Sequence, residues 1–397
     1  MLKQKATIAS AIQAFGDDLA RGNKITSRQK RVFNTLQQCR TPALGGHVEA
    51  CPECGHVQTG WNSCRNRHCP TCNNIKRERW ILQRRSEMLP VDYFHLVFTL
   101  PDLLNDLSLH YPKLIYGLLF KSAWSTLQQF AASHRHLGAK AGMIAVLHTW
   151  GQNLQLHPHI HCLVPGGGLT AQGKWRSSKA KGKYLFPVKA LSKVFRGKFT
   201  DGLIHLCSQG ELRMDNPIDS HCKYLHPLYK SKWVVFAKRP VRSGVKTLEY
   251  LGRYVHKVAI GNSRIKAIDS KSVTFSWFDY RTSKGREMTL AGQEFVRRWS
   301  MHILPEGFVK VRHYGICSNR TKLSVREIVF ASLGKNSPTL TKGLKWAEVY
   351  LQVYGRSPFL CPACGQADMV CVQILPPIRD GPCHIKPIIQ HRTKHQK

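Results

Sequence analysis

The chain is 397 residues long, and its 60 lysines and arginines stand against 23 aspartates and glutamates, a formal net charge of +37 with a pI near 10.0. A hydrophobic fraction of 42% suffices for real cores in roughly two or three domains. The absence of any apolar run of about 18 residues, and of an apolar signal core in "MLKQKATIASAIQAFGDDLARG", points away from a membrane protein and toward a cytoplasmic one. A positive excess of this size opposes compaction by self-repulsion, so it implies a polyanionic partner. Nucleic acid comes first; a membrane surface is disfavoured because no long basic amphipathic helix is present.

In chain order, residues 1–38 form an expected basic helical arm, with "IASAIQAFGDDLA" apolar along one side and "TSRQKRVFNTLQQ" strongly basic. Residues 39–75 read as a zinc-binding module. Fourteen cysteines in a cytoplasmic chain argue for metal rather than disulfides, and Cys51-x-x-Cys54 and Cys69-x-x-Cys72 are two thiolate knuckles, each able to supply two corners of a tetrahedron. Cys39, His47, Cys64 and His68 lie within reach, so these eight side chains are the candidate ligands for up to two zinc ions. Arg65, Arg67, Lys76, Arg77 and Arg79 thread the module with charge suited to phosphates.

From Lys76 the pattern predicts a helix through "KRERWILQRRSEML" that stops before Pro90, then a strand in "DYFHLVFTL" ending at Pro101, then a long helix in "LIYGLLFKSAWSTLQQFAASH". "AGMIAVLHTW" and "HIHCLVP" read as an antiparallel strand pair across "GQNLQLHP". In "LHPHIHCLVPGGG" strand alternation puts His157, His159 and His161 on one face and Ile160 and Cys162 on the other, the geometry of a metal site. Pro158 cannot donate to a ladder, so the strand is expected to start near His159, which makes His159 and His161 safer ligands than His157.

The basic stretch "AQGKWRSSKAKGKY" reads as an exposed loop, and "SKWVVFAKRPV" and "KSVTFSWFDYR" as strands. Between them, Thr247 to Ile260 is predicted helical, with Leu248, Leu251, Val255 and Val258 as its apolar stripe. Tyr250 and Tyr254 stack one turn apart on a neighbouring face, beside Lys257. Phosphodiester cleavage by tyrosine needs a phenol nucleophile together with a metal that polarises the phosphate, since a phenol of pKa about 10 is weakly nucleophilic at neutral pH. The tail carries another knuckle, Cys361-x-x-Cys364, read as a small C-terminal zinc ribbon whose other ligands spacing cannot select.

Taken jointly, "SCRNRHCPTC", "LPVDYFHLVFTLP", "HPHIHCLVPGGG", "YLGRYVHKVAIGNSRI" and "HILPEGFVKVRHYG" resemble the rolling-circle transposases of bacterial insertion sequences, the two-tyrosine branch of the HUH endonucleases, over most of residues 39–320. The His, hydrophobic, His motif is His159-Ile160-His161. The resemblance implies an α+β fold with a central antiparallel sheet flanked by helices, an N-terminal zinc-binding module, a catalytic domain over residues 76–350 and a tail over 351–397. It makes His159 and His161 ligands of a catalytic Mg2+ or Mn2+, Tyr250 and Tyr254 the nucleophiles, and single-stranded element ends and target DNA the partners, with Lys257, Arg253, Arg65 and Arg67 as DNA contacts. The third metal ligand is left between His157, preferred, and Gln152.

Other readings explain less. Histidine-triad nucleotide hydrolases share the His157, His159, His161 alternation but lack the charge, the knuckles and the tyrosine pair. A non-enzymatic zinc-dependent DNA-binding regulator leaves the histidine strand unexplained. A plasmid replication initiator or relaxase shares the chemistry and is disfavoured by the zinc-module resemblance.

Overall fold

The computed structural model describes residues 6–22, 25–178, 185–212, 225–241, 252, 255, 258–280, 282–341 and 343–378. Its principal elements are α1 (Ile8–Arg21), α2 (Ser27–Gln37), β1 (Gly46–Ala50), β2 (Val57–Trp61), α3 (Asn74–Glu87), β3 (Tyr93–Thr99), α4 (Pro112–Ala132), β4 (Gly142–Trp150), β5 (Leu156–Pro165), α5 (Val188–Ser208), β6 (Val234–Val241), β7 (Ile265–Ile268), β8 (Ser272–Asp279), β9 (Lys284–Ala291), α6 (Gly292–Ser300), β10 (Val311–Gly315), α7 (Lys322–Ser332), α8 (Trp346–Tyr354) and β11 (Val370–Leu375). Mixed helices and antiparallel sheets make this an α+β chain. Among the described residues no helix is long and apolar enough to cross a membrane.

Two compact units result, and neither is a consecutive stretch. One comprises Met1–Arg79, Ile260–Ser300 and Gly343–Lys397, the other Trp80–Ala259 and Met301–Lys342. Where the sequence suggests a division at residues 38, 75 and 350, each compact unit gathers segments distant in the chain, because packing follows apolar faces rather than chain order. The N-terminal segment is helical, as expected, and packs by its apolar face. Helix α1, capped by Thr7 with Ser10 in a reciprocal capping box, buries Ile8, Ala11, Ile12, Phe15 and Leu19. It meets α6 at Gly292, where an added Cβ would stand 2.4 Å from the Phe15 ring, so only glycine permits the approach. Phe33 of α2 tilts against Trp299 of α6 with centroids 5.9 Å apart.

The second unit is built on a five-stranded sheet of order β10-β4-β5-β3-β6, antiparallel throughout, with β5 in the middle. Alternation gives it two faces. On one lie Phe94, Leu96 and Phe98 of β3, Met143, Ala145 and Leu147 of β4, and Ile160, Cys162 and Val164 of β5. They are sealed by Ile115, Leu119, Phe120, Ala123 and Leu127 of α4 and Leu191, Phe195, Phe199 and Leu203 of α5. Each fully buried Leu, Ile, Val, Phe or Met among them stabilises the unit by roughly 1.5–3 kcal/mol, so this face anchors the sheet. The other face carries Tyr93, Ile144, Val146 and Leu163 in a smaller apolar cluster, with Val325 and Val329 of α7 and with Val255. Strand β5 starts at Leu156, earlier than Pro158 suggested. The Pro158 carbonyl accepts from the Leu100 N–H at 3.0 Å, and the ladder to β4 shifts register between His148 and Trp150, so its missing N–H is tolerated at the irregularity.

Candidate functional site

The histidines share the sheet face of Ile144, Val146 and Leu163, two residues further along the same strands. In the β4–β5 ladder His148 stands directly opposite His159, and Val146 opposite His161. The donor atoms of His148, His159 and His161 all lie within 4.8 Å of one another, with His159 Nε2 and His161 Nε2 3.2 Å apart. His148 and His161 are buried and His159 is half-buried, so the cluster opens at one end. The Nδ1–H of His159 donates to the His157 carbonyl at 2.6 Å, which leaves the Nε2 lone pair directed toward the cluster.

The geometry of the site favours another residue over His157 as third ligand. Along one strand, His157 and His161 are four residues apart, about 13 Å, so they cannot converge on one ion with His159 between them. The residue opposite in the neighbouring strand is close enough, and that residue is His148. The His157 ring instead lies near the strand end with Nδ1 3.9 Å from the Asp102 carboxylate, its side chain 46% exposed. Gln152, the alternative, lies in the turn between β4 and β5.

Two further buried histidines support this face. His95 of β3 bonds through Nε2 to His161 Nδ1 at 2.9 Å. Burial, with the charge of Lys238 nearby, lowers its pKa to about 4, so it is neutral at neutral pH. His302 donates from Nε2 to the Leu154 carbonyl at 3.0 Å, and its Nδ1 accepts from Thr149 Oγ1 at 3.2 Å. It thus ties β4 to the turn at Leu154, a residue held at φ 63° in the left-handed region.

The cysteines also regroup. Cys39, Cys64, Cys69 and Cys72 form one cluster, with sulfur separations of 3.6 Å for Cys39–Cys69, 3.5 Å for Cys39–Cys72 and 3.7 Å for Cys64–Cys72. A tetrahedron with Zn–S bonds of about 2.3 Å has edges of about 3.8 Å, so the four sulfurs fit structural zinc. Hydrogen bonds from the Cys39 and then the Cys64 thiol hold the Cys69 thiol far below its ordinary range despite burial, favouring the thiolate a metal takes. Cys51 and Cys54 gather instead with Cys361 and Cys364. Both groups supply four sulfurs without His47 or His68. His47 Nε2 faces the Glu49 carboxylate at 3.3 Å, and the His68 N–H donates to Asn66 Oδ1 at 2.9 Å.

Comparison with known proteins bears on this arrangement. Residues 11–100 match the family described as "Transposase zinc-binding domain", and residues 142–324 match Y2_Tnp, described as "Putative transposase". The chain is 40% identical over 96% of its length, and 98% of the relative's, to "Putative transposase y4qJ" of Sinorhizobium fredii. It is 30% identical over 82% of its length, and 79% of the relative's, to "Transposase for insertion sequence element IS801" of Pseudomonas savastanoi pv. phaseolicola. The chain belongs to the IS91/IS801-type transposase family. No solved structure matches it.

The transposase is thus a DNA-processing enzyme that carries a structural zinc module. Of the residues singled out in the sequence, Tyr250, Arg253, Tyr254 and Lys257 lie outside the described residues. Of the segment predicted helical, Thr247 to Ile260, Gly252 and Val255 are described as helical and buried, whereas Val258, Ala259 and Ile260 are described as non-helical. A Cβ on Gly252 would stand 2.4 Å from Ile81 of α3, and Val255 joins the apolar cluster on the histidine face. Arg65 and Arg67 are exposed on the loop that carries Cys64 and Cys69, and the Arg65 carbonyl accepts from Lys76 Nζ at 2.8 Å. His148 and His95 were missed. The signal for His148 was available: in an antiparallel hairpin, "AVLHTW" folded back on "HPHIHC" across a short turn brings its one histidine level with the HIH pair.

Proposed function

We propose that this transposase nicks and rejoins single-stranded DNA at the ends of its insertion sequence by tyrosine attack, through 5′-phosphotyrosine links, as in rolling-circle transposition. The observation that supports it most is the convergence of His148, His159 and His161 on the sheet face that also buries Val255, the residue after Tyr254. Three imidazoles would hold a divalent cation there, which when bound supplies the positive charge that polarises a non-bridging phosphate oxygen. Of the two ions implied by the resemblance, imidazole donors favour Mn2+ over Mg2+.

The rest of the chemistry falls to the chain. The Tyr250 or Tyr254 oxygen forms a bond to phosphorus while the bond to the 3′-oxygen breaks; the phenolic proton is lost and the leaving oxygen is protonated, which frees a 3′-hydroxyl. Because one phosphodiester replaces another, rejoining needs no external energy source. Two phenols four residues apart in the sequence would let a second attack proceed while the first is occupied. Lys257, Arg253, Arg65 and Arg67 would neutralise backbone phosphates.

The test incubates the full chain with 3′-labelled single strands bearing the element ends and Mn2+. Label should move to the protein as an alkali-stable phosphotyrosine adduct. Cleavage that leaves no label on protein would overturn the reading.

A further inference from the structure

We propose that Cys51, Cys54, Cys361 and Cys364 bind one zinc ion together, as a clasp that closes the N-terminal zinc module with a segment from the other end of the chain. The family match for the zinc-binding domain covers residues 11–100, so it contains only half of this ligand set. The proposal stands apart from the tyrosine chemistry.

The sulfurs fit the metal. Cys51 Sγ lies 3.7 Å from Cys364 Sγ and Cys54 Sγ 3.7 Å from Cys361 Sγ, with all four within 4.8 Å of one another. These are edges of a zinc tetrathiolate of about 3.8 Å, and they are far from the ~2.05 Å of a disulfide.

The backbone is built for the same end. "CPECG" at residues 51–55 and "CPACG" at 361–365 are the same knuckle written twice. In both, the glycine turns into the left-handed region, Gly55 at φ 70° and Gly365 at φ 66°. In both, the glycine N–H returns to the first cysteine's carbonyl, at 3.1 Å from Gly55 to Cys51 and 3.0 Å from Gly365 to Cys361. The first cysteine N–H of each then closes the hairpin, Cys51 onto the His56 carbonyl and Cys361 onto the Ala367 carbonyl, both at 2.8 Å. Two such knuckles facing each other are what a four-thiolate ribbon requires.

Strand pairing brings them face to face. β11 adds to the edge of β1 that β2 leaves open, antiparallel, from Gly46 opposite Leu375 to Ala50 opposite Val370. Cys51 follows the last of these pairs, and the second knuckle precedes Val370, so both lie at one end of the sheet. Cys51 and Cys361 are buried there with Met369, and Cys364 and Ala367 pack against them. At the opposite end a Cβ on Gly45, whose φ is 67°, would stand 2.5 Å from the Leu375 carbonyl, so the third strand is seated against a residue that must lack a side chain. The ligand pairs are 307 and 313 residues apart. The site therefore cannot assemble until the segment carrying Cys361 and Cys364 has been synthesised, and the zinc module is not complete within residues 11–100.

The test uses the full chain and two measurements. Zinc content by elemental analysis should fall by one equivalent in C51S/C54S and by one in C361S/C364S. The variant lacking all four thiols should lose the same single equivalent; two separate sites would lose two, and an unchanged content in C361S/C364S would also overturn the clasp. The second measurement keeps every side chain and avoids any folding defect of the variants. In zinc-loaded wild-type protein the four thiols should resist iodoacetamide together, and chelator should expose them to alkylation at a common rate. Rapid labelling of Cys361 and Cys364 while Cys51 and Cys54 stay protected would overturn it as well.

Discussion

His95 and His161 stack with ring centroids 5.2 Å apart and 8° between their planes, and share a hydrogen bond of 2.9 Å across β3 and β5. That bond assigns a task to each nitrogen of His161. If Nε2 offers its lone pair to a cation, Nδ1 carries the proton and donates it to His95, which can accept because burial keeps it neutral. His95→Ala should therefore weaken Mn2+ binding by about 10–100-fold. Nicking should recover at high Mn2+. A metal titration followed by nicking decides it, and unaltered metal affinity would remove His95 from the site.

The choice of third ligand separates two alanine variants. His148→Ala should abolish metal-dependent nicking and Mn2+ binding while DNA binding persists. His157→Ala should keep nicking within a few-fold, because the contribution of His157 is its backbone carbonyl, which the substitution leaves in place. Equal losses in the two variants on the same oligonucleotide would contradict the cross-strand assignment.

Two nucleophiles predict a particular pattern of failure. Tyr250→Phe and Tyr254→Phe should each abolish transposition in cells, because strand transfer needs a second attack while the first phenol is esterified. At least one single variant should still nick an isolated oligonucleotide, and the double variant should form no covalent adduct. An adduct in the double variant would place the nucleophile elsewhere.

Acid should destabilise the catalytic unit through His302. Burial lowers its pKa from 6.5 to about 4, against the opposing bond to the Leu154 carbonyl. The folded value is the depressed one, so the unfolded chain takes up the proton first. The stability is fully present above pH 6.5 and is lost as pH falls from there toward 4, by about 3 kcal/mol at ~1.4 kcal/mol per pH unit. Denaturant midpoints measured across that window should fall with pH, and His302→Gln should flatten the slope by close to one proton. An identical slope in the variant would show that other groups govern the acid transition.

The zinc knuckles, the basic charge, the HIH alternation and the strands and helices around it are local or periodic properties, and each was legible in the sequence. A C-x-x-C spacing brings two sulfurs together by itself, and alternation along β5 puts His159 and His161 on the face opposite Ile160 and Cys162 without reference to the rest of the chain. What completes each site is not local. His148 depends on the register of β4 against β5, where a slip of one residue would have turned it to the other face. His95 comes from the strand on the other side of β5, where it bonds His161. Cys361 and Cys364 reach Cys51 and Cys54 only because β11 pairs with β1 across some 300 residues of chain. Spacing says how many corners of a tetrahedron a motif can fill, and only the tertiary fold decides which distant side chains fill the others, because that choice rests on strand pairing and burial rather than on distance along the chain.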